Sequence, residues 1–144
     1  MFTFEKSTFI SRPQQEVFDF VSNPANEAQW RRSSVSSEWT SEGPVGVGSI
    51  QRSVEKMLGR KIESTAEVTV WDPPNQFTLK SVGGPFPFEL TLKLTAKEDG
   101  TQLTAGAQAE LGGFFKIAGG LVGKQLEKTF DADFDALKLV LEAG

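Results

Sequence analysis

Between Ser33 and Glu110, apolar side chains recur at every second position. The cleanest stretch sets Ile62, Ser64, Ala66, Val68 and Val70 against Lys61, Glu63, Thr65, Glu67 and Thr69. That two-residue period predicts a strand with one buried face. Gly48 to Lys56 reads as the strand before it, broken by Gly59. Phe77, Leu79 and Ser81 share a face in the strand after it. Phe86, Phe88, Leu90, Leu92, Leu94 and Ala96 alternate with Pro87, Glu89, Thr91, Lys93 and Thr95. Asp99-Gly100 is a hairpin signal, and Leu103, Ala105, Ala107, Ala109 and Leu111 then face inward. Glu42-Gly43-Pro44, Asp72-Pro73-Pro74-Asn75 and Gly83-Gly84-Pro85 supply the other turns. Successive hairpins with a single apolar face predict an antiparallel sheet. Trp71 falls on the polar phase of its strand. It is expected at the surface, under the Asp72-Pro73-Pro74 turn or at a dimer contact.

The two ends follow other rules. Phe2 to Ile10 reads as a strand. Ser11, Pro13 and Gln14 have the spacing of a capping box with proline in the first turn, and Val17, Phe18 and Val21 stripe a short helix that Asn23-Pro24 stops. A second short helix runs from Glu27 to Trp30. Beyond Gly112-Gly113 the apolar period lengthens: Ile117, Leu121, Val122, Leu126, Phe130, Phe134, Leu137 and Leu141 mark an amphipathic helix of about 20 residues or more. A sheet with one apolar face needs a cover, and this helix is the element long enough to supply it. The fold class is therefore α+β: a seven-stranded antiparallel sheet, two short helices after strand 1, and one long C-terminal helix.

The chain has 144 residues, no His, Cys or Tyr, and a formal charge of −4. One domain, spanning residues 1–144, accommodates that length. The missing residue types exclude disulfides, thiolate chemistry, His-based triads and His- or Cys-bearing zinc sites. Proton transfer at neutral pH would need a shifted Asp, Glu or Lys. The acidic balance argues against nucleic acid, since phosphate binding wants a basic face. No apolar run reaches the ~20 residues of a membrane span, and no signal peptide is visible, so a cytoplasmic protein is expected.

Three motif matches carry no chemistry. Asp131, Asp133, Asp135 and Glu142 fit positions 1, 3, 5 and 12 of a calcium loop, but Ala136 stands where that loop needs Gly. The helical apolar stripe also runs through them, so they are expected on a solvated helix face. Gly119 to Lys124 resembles a phosphate loop but lacks its first Gly and its Ser or Thr. Gly46-Val47-Gly48 lacks the third Gly of a dinucleotide fingerprint. No cofactor and no metal are expected, and no catalytic residue is assigned.

The chain resembles the START/Bet v 1-like (SRPBCC) superfamily, in its polyketide cyclase/dehydrase and lipid-transport-like branch. The resemblance rests on Ser11-Arg12-Pro13 through Glu16-Val17-Phe18-Asp19-Phe20-Val21, on Asn23 and Trp30, and on Gly46-Val47-Gly48-Ser49. It continues through Val70-Trp71-Asp72-Pro73-Pro74 with Phe77, Asp99-Gly100-Thr101-Gln102-Leu103, and Leu137 to Glu142. It implies a helix-grip fold, in which the sheet wraps the long helix. In many relatives a cavity between the two holds a hydrophobic ligand. Activity does not follow, because the fold hosts carriers, cyclases and binding modules.

The inward residues suit such a cavity. Ala105 and Ala107, with Ala109, are three small side chains in a row opposite the helix. Either the helix packs close upon them or a cavity remains. Ser64, Ala66 and Ser81 add small or polar inward surface, and a buried Ser wants a partner. Phe77, Leu79, Phe88, Leu90, Leu92, Leu121, Leu126 and Phe130 would be walls, or core. Trp30 would be a rim or a core edge, as would Trp39. Phe115, with Phe114 and the glycines up to Gly123, would gate the entrance. Arg52, if it faces inward, would bind a carboxylate or enolate oxygen; if not, it is a solvent-facing strand charge. The expected function is binding or transport of a small hydrophobic molecule such as a lipid, isoprenoid or aromatic polyketide, by a monomer or homodimer. The alternatives are a polyketide cyclase or dehydratase, or a protein-interaction module with a filled core.

Overall fold

The computed structural model of the chain describes residues 2–57, 59–110 and 119–143. Strand β1 (Phe2–Ile10) leads into helix α1 (Gln14–Val21), a 3-10 turn (Pro24–Asn26) and helix α2 (Glu27–Trp30). Six strands follow: β2 (Ser34–Trp39), β3 (Ile50–Met57), β4 (Arg60–Asp72), β5 (Gln76–Gly83), β6 (Phe88–Lys97) and β7 (Gly100–Ala109). Helix α3 (Gly119–Ala143) closes the chain. One antiparallel sheet has the order β1-β7-β6-β5-β4-β3-β2. It is a meander from β2 to β7, with β1 added beside the last strand. This is the one-faced antiparallel sheet expected from the alternating pattern, in the α+β helix-grip architecture that the family resemblance implies.

The start of α1 departs from expectation. Its N-cap is Pro13, and no side chain caps it. The Ser11 amide instead donates to Glu142 Oε2 at 2.8 Å, and Arg12 Nε donates to the Leu141 carbonyl at 2.7 Å. These bonds tie the end of β1 to the end of α3. Gln14, free of a capping role, donates through Nε2 to the carbonyls of Pro74 (3.1 Å) and Leu94 (2.9 Å). The turn into β7 needs glycine: a Cβ at Gly100 would collide with the Ile10 carbonyl and the Phe9 ring.

The core lies where α1 and the C-terminal half of α3 meet the sheet. Ile10, Val17, Val68, Leu103, Ala105 and Leu137 are fully buried there, with Phe18 and Phe134 nearly so. Each large side chain contributes ~1.5–3 kcal/mol by leaving water.

Trp71 joins this core, against expectation. In the pairing of β4 with β5, Val68 faces Leu79 but Val70 faces Thr78, so one extra residue is inserted at Thr69. Such a bulge reverses the side-chain phase of everything beyond it. Trp71 therefore turns inward, opposite Phe77, and packs 5.3 Å from the Phe18 ring and 5.8 Å from the Phe77 ring.

Candidate ligand-binding site

The inner face of the sheet changes character along its strands. On β6, Leu94 and Leu92 are core, whereas Leu90 and Phe88 face open space. On β7, Leu103 and Ala105 are core, whereas Ala107 and Ala109 face it. On β4 the change runs from Val68 through Ala66 to Ser64 and Ile62. Together with Leu79, Pro85, Phe86 and Phe130, these residues line a partly open cavity of about 150 Å³. The small side chains of Ala107 and Ala109 on β7 make room here. Phe130 forms the helix side and stacks on Phe4 of β1 at 4.7 Å.

One wall is charged. Glu27, which opens α2, and Arg31, its C-cap, meet Gln51, Ser53 and Glu55 on the inner face of β3. Arg31 Nη2 lies 2.5 Å from Glu55 Oε1. Its Nη1 lies 3.9 Å from Glu27 Oε2, and its Nε lies 3.9 Å from Asp133 Oδ2 on α3. Gln51 Nε2 donates to Glu27 Oε1 at 2.9 Å and to Ser37 Oγ at 2.7 Å. Asp133 Oδ1 accepts the Arg32 amide at 3.2 Å. Burial on its own would lower the Arg31 pKa. The carboxylates of Glu55, Glu27 and Asp133 outweigh it and hold the guanidinium charged. Burial pushes the Asp133 carboxyl above the ordinary aspartate range, and Arg31 only partly offsets that shift.

The structure sorts the expected site residues. Ser64, Ala66, Leu79, Phe88, Leu90, Ala107 and Phe130 line the cavity. Phe77, Leu92 and Ala105 sit in the packed core instead, one or two residues toward its sealed end. Trp30 is also core rather than rim, with its indole N–H buried and unpaired. Ser81 finds its partner in the Phe88 amide, which donates to Oγ at 2.8 Å, so it does not line the cavity. Phe115 and the side chains of Leu121 and Leu126 lie outside the described residues, as does most of the expected gate from Phe114 to Gly123.

Two corrections concern charge. Arg52 occupies the outer phase of β3, between inward Gln51 and Ser53. Its Nε donates to Glu63 Oε1 at 2.9 Å, across the outer face. Its partner is a strand neighbour, and it does not reach the cavity. Asp133 is 1% exposed, not solvated like its neighbours. It falls three residues after Phe130 and four before Leu137, on the apolar stripe of α3. That spacing was the available signal. Arg31 gave no comparable one, because a four-residue helix has no period to fix its facing.

The family described as polyketide cyclase / dehydrase and lipid transport matches residues 1–142. The chain belongs to this family. Solved structures of START/Bet v 1-like proteins share the fold of this family member. A START superfamily protein from Mycobacterium smegmatis superposes with a TM-score of 0.82 at 17% identity, covering 98% of this chain and 97% of that one. A conserved protein from Geobacillus kaustophilus gives 0.79 at 20% identity, covering 98% and 95%. Ginseng major latex-like protein 151 from Panax ginseng gives 0.76 at 12% identity, covering 96% of each chain. No curated protein matches in sequence. Family and fold together suggest a protein that binds a hydrophobic ligand. Among the described residues, no helix is long and apolar enough to cross a membrane.

Proposed function

We propose that this protein carries or senses a small, largely apolar molecule held between the sheet and the C-terminal helix. The observation that supports the reading is the cavity itself: about 150 Å³ walled by Ala66, Leu79, Phe88, Leu90, Ala107 and Phe130. An empty space of this size is uncommon in an interior packed at ~0.74 density. It is also below the ~300–1,000 Å³ of most small-molecule sites. A compact ligand of one ring fits it better than a long acyl chain. Burying on the order of 200 Å² of such a ligand at ~25 cal/mol per Å² amounts to ~5 kcal/mol, which is sub-millimolar binding. A cyclase needs a proton-transferring group turned toward its substrate. Glu27, Arg31 and Glu55 are engaged with one another, an arrangement that suits holding rather than transfer.

Native mass spectrometry of the purified protein, with thermal shifts on a panel of fatty acids, isoprenoids and single-ring aromatics, tests this reading. A retained apolar molecule, or a midpoint raised by a compact member of the panel, is expected. A clean apo mass with no shift across the panel would overturn it.

A further inference from the structure

The polar wall of the cavity has an unbalanced charge. Glu27 and Glu55 line it with Arg31, and Asp133 stands behind Arg31. Three carboxylates thus share one guanidinium. Glu27 is 7% exposed, and its Oε2 accepts no hydrogen bond. Gln51 satisfies only the other oxygen. Glu55 has the short contact to Arg31, while Glu27 and Asp133 each stand 3.9 Å from it. Among the described lining residues, Arg31 is the one cation set against these carboxylates. Arg31 Nε has no acceptor within hydrogen-bond range either, but it faces Asp133, so that donor is already claimed by an anion. The rest of the described lining is apolar or carries Gln51, Ser53, Ser64, Gln108 and, from the outward phase of β6, Glu89.

We propose that the cavity selects its ligand by charge: it takes a compact apolar body bearing a protonated amine, with the ammonium against Glu27 and Glu55, and rejects a carboxylate of the same shape. This rests on the cavity being the ligand site. Opposite charges near a partly dry wall attract strongly, and like charges placed there are penalised.

The test uses three probes of one shape, benzylamine, benzyl alcohol and benzoate, titrated at neutral pH into the full-length protein by calorimetry. Benzylamine is expected to bind on the order of tenfold or more tighter than benzyl alcohol, with benzoate weakest. Added salt should weaken the amine and leave the alcohol unchanged. Glu55→Gln should bring the amine down to the affinity of the alcohol; Glu27→Gln serves if that variant does not fold. Ser64→Leu, which fills the cavity, should abolish binding of both. Amine binding that survives Ser64→Leu would belong to the acidic surface and would overturn the proposal. So would alcohol or benzoate binding as tightly as the amine, which would leave the cavity as the ligand site. Failure of all three probes to bind would overturn the cavity reading itself.

Discussion

The interior beneath the sheet has two ends built from the same strands. At one end Val17, Phe18, Phe77, Leu103 and Leu137 close on each other without a gap. At the other, Ser64, Leu90, Ala107 and Phe130 stand apart around open space, and Glu27, Arg31, Glu55 and Asp133 replace hydrocarbon. On β7 the two regimes are separated by a single alternation, from Ala105 to Ala107. Close packing and open volume thus fall on different stretches of one strand. The packed end can anchor the fold while the cavity end keeps volume and charge that a core would not tolerate.

This division can be broken or sharpened by substitution. Phe18→Ala, at the packed end, should cost about 4 kcal/mol by cavity creation, measured by urea unfolding. Arg31→Met should cost about 3 kcal/mol at neutral pH, because Glu27, Glu55 and Asp133 lose their shared cation. Ala105→Leu should cost about 2 kcal/mol by overpacking. The same change at Ala107 should stay within about 0.5 kcal/mol while abolishing ligand-induced thermal shifts. Equal costs at the two alanines would dissolve the distinction.

The titrations offer finer tests. Asp133 has a raised pKa in the folded state, chiefly through burial, so the fold binds its proton better than the unfolded chain does. Its contribution to stability is full below the ordinary aspartate value and is lost as pH rises through the raised one. Asp133→Asn keeps an acceptor for the Arg32 amide. Its stability relative to the native chain should rise as pH climbs from the ordinary aspartate range through the raised value. Glu142 has the opposite sign. Its hydrogen bond from Ser11 and then its contact with Lys138 lower its pKa. Its contribution is present above the ordinary glutamate value and lost as pH falls through the lowered one. Glu142→Gln should therefore flatten the acid limb of the stability profile, a smaller effect at a half-buried site.

Much of this was legible beforehand. The alternation in β4, β6 and β7 and the lengthened period of α3 dictate a one-faced sheet covered by a helix. The inward residues of β6 and β7 were placed on the correct face. Their division between core and cavity was not legible, because Leu92 and Leu90 have the same periodicity and differ only in what α1 and α3 bring against them. Arg52 and Arg31 show the same limit. Strand phase near Gly48 is ambiguous, and a four-residue helix has no facing until it packs. Trp71 was misplaced by a bulge, which inserts one residue without any change in composition.

That bulge also sets the optical behaviour of the molecule. By turning Trp71 onto Phe18 and Phe77, it seats an indole at the sealed end of the interior, while Trp30 is the residue next to the charged Arg31. These two of the three tryptophans should report on different events. Trp71 emission should follow global unfolding and ignore an occupant of the cavity, and Trp30 emission should respond to rearrangement of the carboxylate wall. One inserted residue thus gives the protein an internal reference signal beside a sensing one.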